Sequence, residues 1–276
     1  MSTAAAQAPA LVPTATATAP LDAGVERRVS SQTWRAFIAW TALFWGGTGV
    51  LGALFYVGTI DFVTSTKVSL YGTSVWLNGW LIPLLMPGNK SRPRSVVFHE
   101  CLVLWMVSYT MTNLLWEIPW VLASPFVFTD LHTLDDVVAR TAWMRESVSH
   151  MYWWVLASFA SVDLRTVNHD GTFYALELFA FVNVASTAYF YRLNQQRSKM
   201  RYLVPVLGGG EPIAATVIFS FSEVFNGYAN MPGGVADTLL ALVWTQYQYI
   251  VFPLVFSVIG LRLLREDWLS SRVAPD

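Results

Sequence analysis

The chain has 276 residues, 54% hydrophobic, 15% aromatic and only 13% charged, against roughly a quarter charged in an ordinary soluble domain. This composition predicts an integral membrane protein of the all-α class, a polytopic helix bundle. The formal net charge of −1 argues against nucleic acid as a partner, and the single cysteine, Cys101, leaves no disulfide framework.

Residues 1–32 open with an Ala/Pro/Thr tract that lacks the basic start and apolar core of a signal peptide, and read as a disordered tail. Spanning a bilayer takes about 20 mostly apolar helical residues. Five runs satisfy this: 34–58, 96–124, 171–192, 211–231 and 238–263. A sixth, 70–87, is shorter and carries Asn78, so the expected number is about six, within five to seven. "HMYWWVLASFASV", from His150, is too short to cross and suits an interfacial or re-entrant segment. The boundaries that follow are a tail over 1–32, N-terminal membrane helices over 33–94, a membrane domain over 95–266 and a C-terminal tail over 267–276.

Basic residues flank spans on the cytoplasmic side. Arg27, Arg28 and Arg35, then Lys90, Arg92 and Arg94, then Arg192, Arg197, Lys199 and Arg201, and finally Arg262 and Arg265 all fall on one face if six spans cross. Both termini are then cytoplasmic, in the endoplasmic reticulum of a eukaryote or otherwise in the plasma membrane. Gly208, Gly209 and Gly210 followed by Glu211 and Pro212 read as a helix start, with Glu211 as a capping carboxylate.

Charges in hydrocarbon are costly and usually functional. "TNLLWEIPW" (112–120) puts Glu117 inside the second long run, with Asn113 four residues before it. At a rise of 1.5 Å per residue, Glu117, Glu177 and Glu223 lie roughly 9–10 Å from the same membrane surface, and Gln246 reaches a similar depth. Four polar side chains on four helices at one level suit a site between bundle helices. Each also has a structural reading. Asn113 can donate to Glu117 as a packing pair, Glu223 can join Ser222 or Asn226, and Gln246 and Gln248 can be interhelical amides. Trp116, Trp120, Trp153 and Trp154 fit either an interfacial belt or the walls of a cation site.

A carboxyl group buried among apolar and aromatic groups has its ionised form disfavoured and can act as an acid toward a weak base. In an apolar cavity that base is a carbon–carbon double bond. A second carboxylate can stabilise the carbocation and remove another proton, which suits alkene isomerisation or cation-driven cyclisation. No cofactor is implied. His99, His132, His150 and His169 show no paired ligand spacing, so no metal is expected. Phosphate-loop, dinucleotide and nucleophile-elbow motifs are absent, and "GTGVLG" in the first span reads as close helix packing.

"VDLRTVNHDGTFYALE" (162–177) resembles the centre of the emopamil-binding protein family, the EXPERA-domain membrane proteins that include the sterol Δ8–Δ7 isomerase. The likeness lies in the order Asp163-x-Arg165, Asp170 and Glu177, with Asn113 and Glu117 at the family's His/Glu spacing, an acidic position at Glu223, and Gln246, Tyr249 and Pro253 at its last-helix spacing. The resemblance implies Glu117 and Glu177 as the acidic pair, with Asn113 beside them and Trp116, Trp120, Glu223, Gln246 and Tyr249 around the substrate. It also implies structural roles for Asp163 and Arg165 and a capping role for Asp170. The departures are Asn113 for the family's histidine, and Gln246 and Tyr249 for its asparagine and tryptophan. "NLLWEI" is in turn similar to the Asn-x-x-Trp-Glu motif of integral-membrane terpene cyclases, in which the glutamate is the proton donor. Three functions follow as expectations: an intramembrane isomerase of a sterol or terpenoid, a terpene cyclase, or a non-catalytic lipid-binding EXPERA protein. The partners implied are a sterol or terpenoid substrate and membrane lipid, with a homodimer left open.

Overall fold

Short polar side chains set several of the helix starts. Ser30 accepts from Thr33 N at 3.1 Å to begin α1 (Ser31–Tyr56), and Asp61 accepts from Thr64 N at 2.9 Å to begin α2 (Phe62–Trp76). The chain continues through α3 (Arg94–Val127), α4 (Leu134–Met144), α5 (Met151–Leu156), α6 (Gly171–Gln195), α7 (Lys199–Phe225) and α8 (Val235–Ser270). This computed structural model describes residues 25–270. The fold is an all-α bundle. Five helices, α1, α3, α6, α7 and α8, are long and apolar enough to cross a membrane, and the chain is a membrane protein.

The expected run 70–87 forms differently. Its helix starts earlier, at Phe62, and gives way after Trp76 to a tighter turn over Leu77–Leu81 and a short helix, Ile82–Leu85. Asn78 donates back to Ser74 O at 2.9 Å and across to Tyr247 Oη at 2.9 Å. At Gly79 a Cβ would stand 2.7 Å from the Trp40 ring, so only glycine lets α1 pack this closely. The segment from His150 forms short turns up to Ser161, and none of them is long enough to cross. It is pinned by Trp154 Nε1 to Ser65 Oγ at 3.0 Å and by Tyr152 Oη to Leu115 O at 2.5 Å.

Two expectations are corrected by helix register. The expected span 211–231 is longer at its start and shorter at its end: a helical segment does begin at Gly210 with Glu211 in its first turn, but Gly209 keeps helical backbone angles and joins it to Leu203–Gly208, so the run of α7 extends from Lys199 to Phe225. Residues 25–30 of the expected tail are ordered, and Asp267 belongs to α8. Arg27 Nη1 meets Asp267 Oδ1 at 2.5 Å, Arg201 Nη2 meets Asp267 Oδ2 at 3.0 Å, and Arg201 Nη2 also donates to Val25 O at 2.6 Å. Glu100 takes Ser30 N at 2.7 Å and Arg92 Nη2 at 2.8 Å. The start of α1 and the helices α3, α7 and α8 are thereby tied at one end, here called the basic face. The rest of the expected tails, residues 1–24 and 271–276, lies outside the described residues.

At the opposite end Arg165 is enclosed by Asp163 Oδ2 at 2.6 Å, Glu223 Oε2 at 3.2 Å, Phe219 O at 2.8 Å and Ser222 Oγ at 2.7 Å. Buried apolar side chains form two main clusters. One, around Trp80, Leu102, Trp105, Phe190 and Phe256, contains Tyr202 of the basic face; the other, around Phe55, Trp120, Phe128, Trp154 and Phe173, includes Phe219 beside Arg165. Prolines within the spans cannot donate to the carbonyl four residues earlier. The carbonyls freed by Pro119 and Pro125 are taken by tyrosine hydroxyls, Tyr152 on Leu115 O and, at 3.0 Å, Tyr174 on Val121 O.

Replacing Arg165 by Met leaves two buried carboxylates without their cation, and the expected loss is about 3–5 kcal/mol, measured by thermal unfolding in detergent; Arg165→Lys should retain part of it. At the exposed α2 cap, donors from Thr64 hold the Asp61 carboxyl below its usual range. Its contribution is present above the unfolded value, about 3.9, and is lost as pH falls through the lower folded value. Asp61→Ala should therefore cost about 0.5–1 kcal/mol near neutrality, and the gap to wild type should close in acid.

Candidate functional site

A cavity of about 160 Å³ lies where the two core clusters meet. Its walls include Leu77, Tyr109 and Tyr249 from the side of the basic face, and Trp116, Trp154, Phe173 and Phe219 from the other. Three carboxyl side chains from three spans line it: Glu117 of α3, Glu177 of α6 and Glu211 of α7. Every other acidic side chain buried in the bundle meets a cation: Glu100 with Arg92, Asp163 and Glu223 with Arg165, Asp237 with Lys67, Asp267 with Arg27 and Arg201. Among the described residues, neither an ion pair of these three nor a Lys, Arg or His lining this cavity occurs.

Local backbone geometry aims these groups. Over Asn113–Glu117 the helix widens into a π turn, with Ile118 N bonded to Asn113 O, and a second π turn spans Leu239–Trp244, with Thr245 N bonded to Leu240 O at 3.0 Å. Wide turns of this kind re-aim side chains and recur at functional sites. The first presents Trp116 and Glu117 to the cavity; the second immediately precedes Thr245 and Gln246, which also line it. The same turn undoes the expected Asn113–Glu117 contact. Asn113 is fully buried, is not part of the cavity wall, and donates from Nδ2 to Tyr109 O at 2.6 Å, leaving its Oδ1 unpaired.

The other expected residues divide between site and scaffold. Glu117, Glu177, Trp116, Gln246 and Tyr249 line the cavity. Glu223 does not; its carboxylate is spent on Arg165 and on Asn230 N at 3.1 Å. Trp120 is buried beside Phe173 and donates to Thr166 O at 3.0 Å. Asp163 and Arg165 belong to the ion cluster described above, and Asp170 caps α6 by accepting from Phe173 N at 2.7 Å.

Sequence reading missed Glu211, Asn183 and Tyr109. Asn183 Nδ2 donates to Tyr109 Oη at 2.8 Å, and the Asn183 side chain also hydrogen-bonds Glu211. One oxygen of Glu211 remains buried without a partner. Tyr109 stands within electrostatic reach of Glu117, Glu177, Glu211 and Tyr249, with its ring 5.8 Å from that of Tyr249. A usable signal existed in the unbroken apolar stretch from Tyr202 to Gly208, which starts the span earlier and puts Glu211 roughly 14 Å inside it. Asn183 lies at the matching depth in α6, as far from Gln195 as Glu211 is from Lys199.

Compared with family models, curated proteins and solved structures, the chain matches none.

The coupling between Asn183 and Glu211 is measurable without any ligand. Asn183→Leu strands the Glu211 carboxyl and the Tyr109 hydroxyl and should cost about 1–3 kcal/mol. Together with Glu211→Leu it should show an interaction energy of about 0.5–3 kcal/mol in a denaturation double-mutant cycle.

Proposed function

We propose that the protein is an intramembrane acid–base enzyme that protonates a carbon–carbon double bond of a sterol or terpenoid and relocates it through a carbocation. The observation that carries this reading is the gathering of Glu117, Glu177 and Glu211 on one apolar, aromatic cavity with no cation among its walls. The reaction needs one carboxyl that carries its proton and one that does not, in the same water-poor space. One carboxyl delivers its proton to an alkene carbon; the resulting cation is held by the rings of Trp116, Tyr109 and Tyr249 through their π faces; a neighbouring carboxylate takes the proton from an adjacent carbon. Proton count and mass are unchanged, and no cofactor enters the scheme. By motif, Glu117 is assigned the acid role. Glu177 and Glu211 are the available bases.

The cavity size bears on the substrate. A void of about 150 Å³ accommodates a benzene ring, while drug-sized ligands fill about 300–1,000 Å³. A cavity of about 160 Å³ therefore suits the reacting end of a larger lipid. Phe179, a wall residue that is 42% exposed on α6, offers the side on which the rest of the molecule can lie in the bilayer. Ring closure begun by the same proton is the second reading, favoured by aromatic rings on facing walls, which can shield a cation as it migrates. The gathering of the basic clusters at one face supports a cytoplasmic position for both termini, with residues 62–85 taken as a sixth crossing beside the five long helices.

The test is incubation of the purified protein with a panel of sterols and prenylated compounds in deuterated water, followed by mass spectrometry. Deuterium should enter a product of unchanged ring count with wild type, and Glu117→Gln should lower that rate by at least about 10²-fold, the usual contribution of a general acid. A deuterated product with one ring more selects cyclisation. Tight lipid binding by both proteins with no incorporation in either would leave only a binding role.

A further inference from the structure

A second, smaller cavity of about 40 Å³ adjoins the first and shares Tyr109, Asn183 and Pro212 with it. Its remaining walls are Trp105 and Met106 of α3, Ser186 and Thr187 of α6, Val204, Pro205, Gly208 and Gly209 of α7, and Pro253 and Phe256 of α8. Along all four helices these residues are displaced from the carboxyl wall in one direction. Trp105 and Met106 lie toward Arg94, Ser186 and Thr187 toward Gln195, Val204 and Pro205 toward Lys199, and Phe256 toward Ser270. The small cavity is thus the next layer toward the basic face.

Its chemistry suits water. A site needs about 10–15 Å³ and two to four polar partners to hold one water molecule, so roughly two or three fit. Pro212 and Pro253 have no N–H for the carbonyls of Gly208 and Tyr249, which deprives each carbonyl of its helical donor. Elsewhere in this bundle tyrosine hydroxyls take the carbonyls that prolines release; here Ser186 and Thr187 supply hydroxyls beside an open space. Gly209 keeps the helices close: a Cβ there would stand 2.5 Å from Ser257 Oγ. Further toward the basic face two more polar atoms are buried without partners, Tyr191 Oη and His99 Nε2. The other ring nitrogen of His99 meets Tyr202 Oη at 3.0 Å, and Tyr202 Oη accepts from Arg27 Nη1 at 3.3 Å.

We propose that the small cavity holds water and forms a proton route from the basic face to the carboxyl wall, with the Tyr109 hydroxyl as the link between the two cavities. Asn183 donates to Tyr109 Oη, which leaves the tyrosine's own proton free to point at a carboxylate. In one hop that O–H proton passes to a carboxylate while the phenol oxygen takes a proton from water; the hydroxide left behind is reprotonated by the next water toward the basic face, so the phenol and the water are both restored and one proton has moved from that face to the carboxyl wall. Ser186 and Thr187 are positioning residues for the water. The inference rests on Glu117, Glu177 and Glu211 being the proton-handling groups of the reading above. It adds where their protons come from.

The test follows hydrogen–deuterium exchange of the carboxyl groups by infrared spectroscopy, on the full chain in lipid nanodiscs moved into deuterated buffer. Glu117→Gln, Glu177→Gln and Glu211→Gln assign the carboxylic C=O band. Ser186→Leu fills the small cavity, and Thr187→Val removes a hydroxyl at nearly constant volume; each should slow the isotopic shift of that band by about tenfold. An unchanged rate in both variants, or no carboxylic band in the wild type, overturns the route. The readout needs no substrate. Slowed exchange in a protein that turns over no isoprenoid would sink the catalytic reading and leave the route standing, while turnover with unchanged exchange in both variants would do the reverse.

Discussion

A carboxylate in hydrocarbon has to be matched by a cation, hydrogen bonds or a proton, and this bundle is organised by where it supplies the cation and where it withholds it. At the basic face and at the opposite end, buried acids are closed by arginine. In the middle layer three acids face an apolar space with none. The ion clusters hold the ends of the helices together; isolating the central carboxyls from them preserves a place where protons, rather than counterions, must settle the charge.

The spans were legible in the sequence because long apolar runs in a helix leave few alternatives, and four of the five agree closely with the structure. The fifth was shifted by its glycines. Gly208 to Gly210 before Glu211 and Pro212 look like a helix start, and a segment does begin at Gly210, but in lipid a backbone that leaves the helix loses hydrogen bonds that nothing replaces, so Gly209 keeps helical angles and the preceding turn, Leu203–Gly208, runs straight into it. That shift of register carried Glu211 into the site and moved Glu223 out to Arg165.

The site itself was partly legible. Glu117 and Glu177 stood out because a charge in an apolar run is conspicuous at any rotation of its helix. Their neighbours depended on rotation, which depth does not determine. A π turn inserts extra arc between Asn113 and Glu117 and separates two residues that a regular helix would have stacked. The N-terminal helices were expected to form a separate segment, yet Trp45 of α1 and Thr73 of α2 line the same cavity as Glu117, because α2 packs beside the short turns after His150.

The fastening at the basic face has a consequence for biosynthesis. Arg27 precedes the first span and its counterion Asp267 lies near the end of the last, so a ribosome delivers the cation long before the anion. Until α8 emerges, Arg27 and Arg201 lack that partner and the cavity lacks the wall formed by Gln246, Gln248 and Tyr249. The bundle therefore closes as its final helix arrives, and a chain stopped short of α8 has neither latch nor chamber.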